Sequence, residues 1–245
     1  MSSGAPVRAS SRVALITGAA AGLPRGIAFA LARDGYRIAF TYRPGGTPPD
    51  ATLALVRPFD PDAVAIGADF ASPDAAATAV RDAETARGPL GVLVHGAGPM
   101  IVRRVARASI DDYRAMIETN LGSSVALALA ALPGMRERGF GRLVFFGMNG
   151  SSVTLPARGL AFYGAAKAGL VAFARTLALE EAASGISVNV IEPGDIRDKT
   201  ADRASARGGS WEDIAAAVRF AIDDGNGFLN GMVLSVNGGS MERHE

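Results

Sequence analysis

Cysteine is absent from this 245-residue chain, which excludes disulfides, thiolate nucleophiles and zinc–cysteine sites. Histidine occurs only at His95 and His244, too few for a multi-histidine metal centre, and a Ser-His-Asp triad is disfavoured. An excess of one charge is also lacking. The formal net charge is +1, so the chain carries no electrostatic footprint for nucleic acid or for an anionic membrane. The longest apolar run, residues 125–133, is far too short to span a bilayer. Residues 1–11 contain no apolar segment of the signal-peptide kind. The expectation is a soluble, cytoplasmic protein with a disordered tail over 1–11 and one domain over 12–245.

Lysine is scarce too. Of 25 basic side chains only Lys167 and Lys199 are lysines; wherever a generic positive charge suffices the chain uses arginine. Lys167 closes the stretch Tyr163-Gly-Ala-Ala-Lys167, and residues four apart share one face of a helix. An ammonium beside a phenol favours the phenolate and is expected to draw its pKa down from about 10. Such a phenol can give and take a proton at working pH. Lysine suits the task because its head is a point charge, whereas guanidinium is a broad fork. An ordinary amphipathic helix with a buried tyrosine and a surface lysine fits the pair equally well, so the other motifs must decide.

Short apolar runs alternate with helical patterns. The pattern predicts strands at 13–17, 37–41, 64–70, 90–95, 143–146, 186–191 and 232–236. It predicts helices at 23–33, 52–56, 73–87, 110–138, 162–183 and 211–222. Ser72 and Ser109 are candidate N-caps, Pro73 suits a first helical position, and Gly185 suits a helix end. Continuous apolar strands alternating with helices indicate an α/β fold: a single Rossmann-type, doubly wound domain with a mostly parallel seven-stranded sheet. Between the first strand and first helix stands Thr17-Gly18-Ala-Ala-Ala-Gly22-Leu23-Pro24-Arg25-Gly26. A glycine-rich turn at that place lets backbone N–H groups and the positive helix end face a diphosphate. A plain tight turn is the simpler alternative, in a chain with 30 glycines.

Thr17-Gly18-x3-Gly22, His95-Gly96-Ala97-Gly98, Asn120, Tyr163-x3-Lys167 and Pro193-Gly194 occur in the order and spacing of the short-chain dehydrogenase/reductase family. The chain resembles that family from Arg12 to about Gly239, and most of all the branch of 3-oxoacyl-carrier-protein reductases and related ketoreductases. The resemblance implies an NADP(H)- or NAD(H)-dependent oxidoreductase acting on a small-molecule carbonyl or alcohol, as a homodimer or homotetramer. It implies that Tyr163 is the acid/base and that Lys167 holds the nicotinamide ribose and lowers the tyrosine pKa. Asn120 would support a proton-relaying water. Gly18, Gly22 and Leu23 would meet the diphosphate, and Asp69 and Phe70 the adenine. Ala97 and Gly98, with His95 at the strand end, would lie by the adenosine ribose, and Gly194 and Ile196 by the carboxamide.

The second strand ends Phe40-Thr41-Tyr42-Arg43 with no acid. An acid there would read a ribose 2′-hydroxyl, whereas arginine reads a 2′-phosphate, so Arg43 favours NADP(H) over NAD(H). Several positions depart from the family pattern. Pro24 stands at its third glycine, and the segment from 195 to 210 is short for a substrate lid. The threonine expected after Pro193-Gly194 falls on Asp198 or, with a shifted register, Thr200. The family's catalytic serine falls on Met148 by one count and on Gly150 by the other. Ser151 is the favoured replacement, with Ser152 and Asn149 as alternatives. The reading is ketone–alcohol interconversion by hydride transfer with Tyr163 as acid/base. The alternative is a catalytically impaired nucleotide-binding scaffold or regulatory protein.

Overall fold

The computed structural model describes residues 12–72, 74–198 and 208–239. Along the chain run β1 (Val13–Thr17), α1 (Gly22–Arg33), β2 (Arg37–Tyr42), α2 (Asp50–Val56), β3 (Val64–Gly67), α3 (Ala75–Arg87) and β4 (Leu90–His95). There follow α4 (Ile110–Ile117), α5 (Ser123–Arg138), β5 (Gly141–Phe146), α6 (Ala161–Glu181) and β6 (Ile186–Pro193). The chain continues through β7 (Ile196–Asp198), β8 (Gly209–Ser210), α7 (Trp211–Ile222) and β9 (Val233–Val236). Seven strands form one parallel sheet in the order β3-β2-β1-β4-β5-β6-β9.

Alternation along β1 shows why the sheet needs helices on both faces. Ala14 and Ile16 pack with α1 and α7, whereas Val13 and Leu15 pack with α3, α5 and α6. Successive strand side chains point to opposite faces, so a strand that is apolar at every position is covered twice. The chain runs from β1 outward to β2 and β3, then returns to place β4 on the other side of β1. The crevice between β1 and β4 is the topological switch point, where open α/β sheets bind ligands.

The structure departs from the sequence expectations at four places. β3 ends at Gly67, so Ala68 to Phe70 lie beyond the strand, with the Ala68 N–H still donating to the Tyr42 carbonyl at 2.9 Å. Helix α3 starts at Ala75 with Asp74 as N-cap and no side-chain cap bond. Ser72 is therefore not the cap; only its carbonyl accepts, from the Ala75 N–H at 3.2 Å, and Pro73 lies outside the described residues. The helix expected over 110–138 is continuous but widens into a π turn at Glu118–Gly122. Its start is as expected: Ser109 caps it in a reciprocal box with Asp112. The β7–β8 pair was not expected; strands of three and two residues carry no periodicity to read.

The stretch Ile110–Arg138 is, by length and composition alone, long and apolar enough to cross a membrane. The short run read from the sequence thus belongs to a 29-residue helix. Within the fold this helix packs against β4, β5 and α3. Residues 1–11 and Thr200 lie outside the described residues.

Candidate active site

A cleft of about 850 Å³ follows the carboxyl ends of the strands. Gly18, Gly22, Leu23, Arg43, Asp69, Phe70, His95, Ala97, Gly98, Tyr163 and Lys167 all line it. The structure therefore brings together residues dispersed over most of the chain. Asn120, Ser151, Gly194 and Ile196 are not among its lining residues.

The glycine-rich turn is clamped by the end of β2. The Gly18 N–H donates to Thr41 Oγ1 at 3.0 Å and the Ala19 N–H to the Thr41 carbonyl at 2.9 Å. Gly18 has φ +73° and lies so near Ala97 that a Cβ would come within 2.9 Å of the Ala97 Cα. Only glycine meets both demands. Gly22 has φ +62° and open space where a Cβ would stand. The N-cap of α1 is Ala21, which offers no side-chain acceptor, and no acid occupies the first turn. Helices α4 and α7, by contrast, are closed by Ser–Asp capping boxes. The positive end of α1 is thus left for an anion, and the residues present fit the diphosphate of a dinucleotide.

Pro24 does not crowd this turn, because Gly96 receives it. A Cβ on Gly96 would come within 2.5 Å of Pro24 Cγ and 3.1 Å of the Thr17 carbonyl oxygen. Pro24, the departure in the glycine-rich turn, is accommodated because position 96 carries no side chain. Gly96→Ala is expected to destabilise the fold, and Pro24→Gly to recover part of the loss; the contact with Thr17 prevents full recovery. Urea unfolding of the double-mutant cycle should give a coupling of about 1–2 kcal/mol. Additive effects would show that the two positions do not share this space.

Helix α6 presents Tyr163 and Lys167 to the cleft, with the Lys167 Nζ 5.4 Å from the centroid of the Tyr163 ring. Lys167 is buried, and burial pushes its pKa down to about 8. Burial also pushes the Tyr163 phenol above its ordinary value. The expectation that the lysine draws the phenol down is therefore corrected. At these positions loss of solvent disfavours the charged form of each group, lowering the lysine and raising the phenol, and the lysine stays largely charged at neutral pH.

Asn120 sits in the π turn beneath the cleft. Its Nδ2 donates to the carbonyls of Pro99 at 3.0 Å and Met116 at 3.2 Å. Its buried Oδ1 has no hydrogen-bond partner among the described residues. That oxygen fills the place where a Cβ of Gly98 would stand, at 2.5 Å. Gly98 is thereby fixed as glycine, and with it the floor of the cleft. Single π turns inside helices recur at functional sites.

The loop after β5 holds a correction. The Ser151 hydroxyl is buried and donates to Glu192 Oε1 at 2.7 Å. The same oxygen accepts the Ser152 N–H at 2.7 Å, and Oε2 accepts the hydroxyls of Ser152 at 3.3 Å and Ser235 at 3.1 Å. Asn149 Oδ1 accepts from Asn237 Nδ2 at 2.9 Å. Ser151 is thus committed to anchoring the loop, and none of Met148 to Ser152 lines the cleft. Met148 and Ser151 instead border a second, largely apolar pocket of about 230 Å³. That pocket meets α6 at Ala161, Gly164, Ala165 and Ala168, the helix face turned away from Tyr163 and Lys167. Glu192, fully buried at the end of β6, was missed by sequence reasoning. An acid closing the otherwise apolar or neutral strand Ile186–Pro193 was the available signal.

Gly194 and Ile196 do not line the cleft. The Gly194 N–H donates to the Val236 carbonyl at 2.9 Å, and a Cβ there would come within 2.6 Å of the Asn237 Cα. Ile196 packs in the core beside α7. Their neighbour Pro193 is the residue that reaches the cleft wall.

Comparison with known proteins agrees with this geometry. The family model described as short chain dehydrogenase matches residues 12–208. An acetoacetyl-CoA reductase from Shinella zoogloeoides is 34% identical over 246 residues, covering 94% of this chain and 98% of the relative. A 3-oxoacyl-[acyl-carrier-protein] reductase from Synechocystis sp. is 29% identical over 241 residues, covering 94% and 97%. Among solved structures, acetoin dehydrogenase from Enterobacter cloacae superposes with a TM-score of 0.85 at 26% identity, covering 95% of this chain and 96% of the other. The glycine-rich turn, the switch-point cleft and these matches over nearly full length lead to one conclusion: the chain belongs to the short-chain dehydrogenase family and is an NAD(P)-dependent oxidoreductase.

Proposed function

We propose that the protein interconverts a ketone and a secondary alcohol with NADP(H), using Tyr163 as the acid/base. The observation that carries this reading is the single cleft joining Arg43, the uncapped end of α1 and the Tyr163–Lys167 pair. A bound nicotinamide supplies the hydride to the carbonyl carbon in the reductive direction, or accepts it in the other. Tyr163 holds its proton at neutral pH as an ordinary phenol does, burial reinforcing this, and releases it to the carbonyl oxygen as that oxygen becomes an alkoxide. Lys167 places positive charge beside the phenol and offers donors to ribose hydroxyls. Gly18, Gly22 and Leu23 would hold the diphosphate at the end of α1, and Asp69, Phe70, Ala97 and Gly98 would border the adenosine half. Asn120 fixes the floor beneath Gly98.

The relatives named as reductases of acetoacetyl-CoA and of 3-oxoacyl carrier protein support a carbonyl substrate. They weigh against the scaffold alternative, whose support is the serine displaced from the cleft. Leu129 and Leu179 are largely exposed on the outer faces of α5 and α6, consistent with a homodimer or homotetramer; light scattering in solution tests this. A cytoplasmic location follows the same family reading.

Arg43 is exposed at the end of the cleft, where β2 closes without a carboxylate. Fluorescence titration should show NADPH binding at least about tenfold tighter than NADH, the scale of a charge-assisted arginine–phosphate contact. Arg43→Ala should weaken NADPH and leave NADH unchanged. Equal affinities in the unaltered protein would overturn the assignment to NADP(H).

A further inference from the structure

The imidazole of His95 is buried where β1 and β4 end side by side, and the reaction proposed above gives it no proton to move. Its Nδ1 lies 2.6 Å from Thr17 Oγ1 and its Nε2 lies 2.9 Å from Ser123 Oγ. The neighbours fix the direction of each hydrogen bond. Ser123 gives its hydroxyl proton to the Thr119 carbonyl at 2.8 Å, so toward His95 it is an acceptor and Nε2 must carry a hydrogen. Thr17 Oγ1 accepts the N–H groups of Gly96 and Ala97 at 3.1 and 3.2 Å. Its own proton is left for Nδ1, which must be bare. One arrangement satisfies all of these atoms, with a neutral ring protonated on Nε2. The setting agrees: burial first, and the charge of Lys167 second, push the His95 pKa down to about 3.

We propose that His95 is a positioning residue: a neutral, Nε2-protonated strut that ties the Gly96–Ala97 turn of the cofactor cleft to the π turn carrying Asn120, and so sets cofactor affinity without entering proton transfer. Through Thr17 the ring orients the two N–H groups of the turn that borders the cleft, and through Ser123 it grips Thr119, the residue before Asn120. A rigid ring with an acceptor on one edge and a donor on the other spans the gap between β1 and the long helix. The part of the proposal that concerns affinity rests on the NADP(H) reading; the tautomer does not.

Two measurements test it. The chain has only two histidines, so nitrogen-15 labelling of histidine yields two ring systems, and a His244→Gln variant identifies the other. His95 should show the Nε2–H tautomer and should not titrate between about pH 5 and 8, where an ordinary histidine does. An Nδ1–H ring, or titration in that range, would overturn the strut. Second, His95→Leu should weaken NADPH binding by about tenfold or more, from two lost buried hydrogen bonds. kcat at saturating NADPH should stay within about threefold, since the proton donor is untouched. His95→Gln, whose carboxamide offers both an acceptor and a donor, should recover much of the affinity. A folded His95→Leu that binds NADPH normally, or that loses only kcat, contradicts the proposal. Should His95→Leu not fold, Ser123→Ala removes only the acceptor of Nε2–H. It should move the His95 Nε2 resonance and weaken NADPH binding, and no change in either overturns the claim. If the unaltered protein binds neither NADPH nor NADH, the proposed function fails while the tautomer still decides the strut.

Discussion

Tyr163→Phe is expected to lower kcat for ketone reduction by about 10³-fold or more, within the range attributed to a positioned general acid, while NADPH affinity stays within about twofold. The substitution removes one oxygen and keeps the ring that stands beside Lys167. The cleft therefore keeps its shape, and only the proton donor is lost. The loss should persist at saturating cofactor and substrate, because the interaction removed exists in the transition state and not in the ground state. Stopped-flow reduction of a ketone panel under single-turnover conditions separates the chemical step from product release. Retention of more than about a tenth of the activity would mean that another group, or solvent, protonates the alkoxide. The raised phenol pKa sharpens the expectation. A tyrosine that holds its proton through neutral pH is poised for reduction, and oxidation of the alcohol should need more alkaline conditions.

Much of the fold could be read from residue pattern because its cause is local. Strands apolar at every position, such as Val13–Thr17, belong to a sheet covered on both faces. The glycine-rich turn, Arg43 and the Tyr163–Lys167 pair converge on one cleft because a doubly wound sheet brings the ends of its strands to one edge. What could not be read depends on partners distant in sequence. Ser151 meets Glu192 across 41 residues, and either residue alone looks ordinary. Ser72 followed by Pro73 offers a plausible helix start, yet the backbone begins α3 only at Ala75, with Asp74 as its N-cap. Pro24 is unexpected in the turn until Gly96 is found beneath it. The depressed Lys167 and raised Tyr163 pKa values depend on burial, which spacing along a helix does not reveal.

Lys167→Met is expected to lower kcat by about 10² or more and, at the same time, to raise the stability of the protein. Both effects follow from one buried ammonium. The lysine falls from its ordinary 10.5 to about 8 in the folded chain, so the folded state binds its proton more weakly than the unfolded state does. Below about pH 8 the folded chain carries the full cost of that buried charge, and the cost is relieved as pH rises from about 8 toward 10.5. At pH 7 it amounts to about 3 kcal/mol, the free-energy equivalent of the pKa difference. Methionine fills a similar volume without the charge, so chemical unfolding at pH 7 should show a gain of that sign, shrinking at alkaline pH. Activity should move the other way, since the charge beside Tyr163 and the donors for the ribose are gone. Lys167→Arg should also be strongly impaired, because a broad guanidinium cannot take the place of the compact ammonium. The pH profile links the two effects. In the unaltered protein, kcat/KM for NADPH should fall as pH rises through about 8, reporting loss of the Lys167 proton in the free enzyme. That limb should be absent in Lys167→Arg, whose guanidinium stays charged throughout. A near-normal Lys167→Arg, or a Lys167→Met less stable than the unaltered protein, would show that Lys167 is held there for packing and not for its charge.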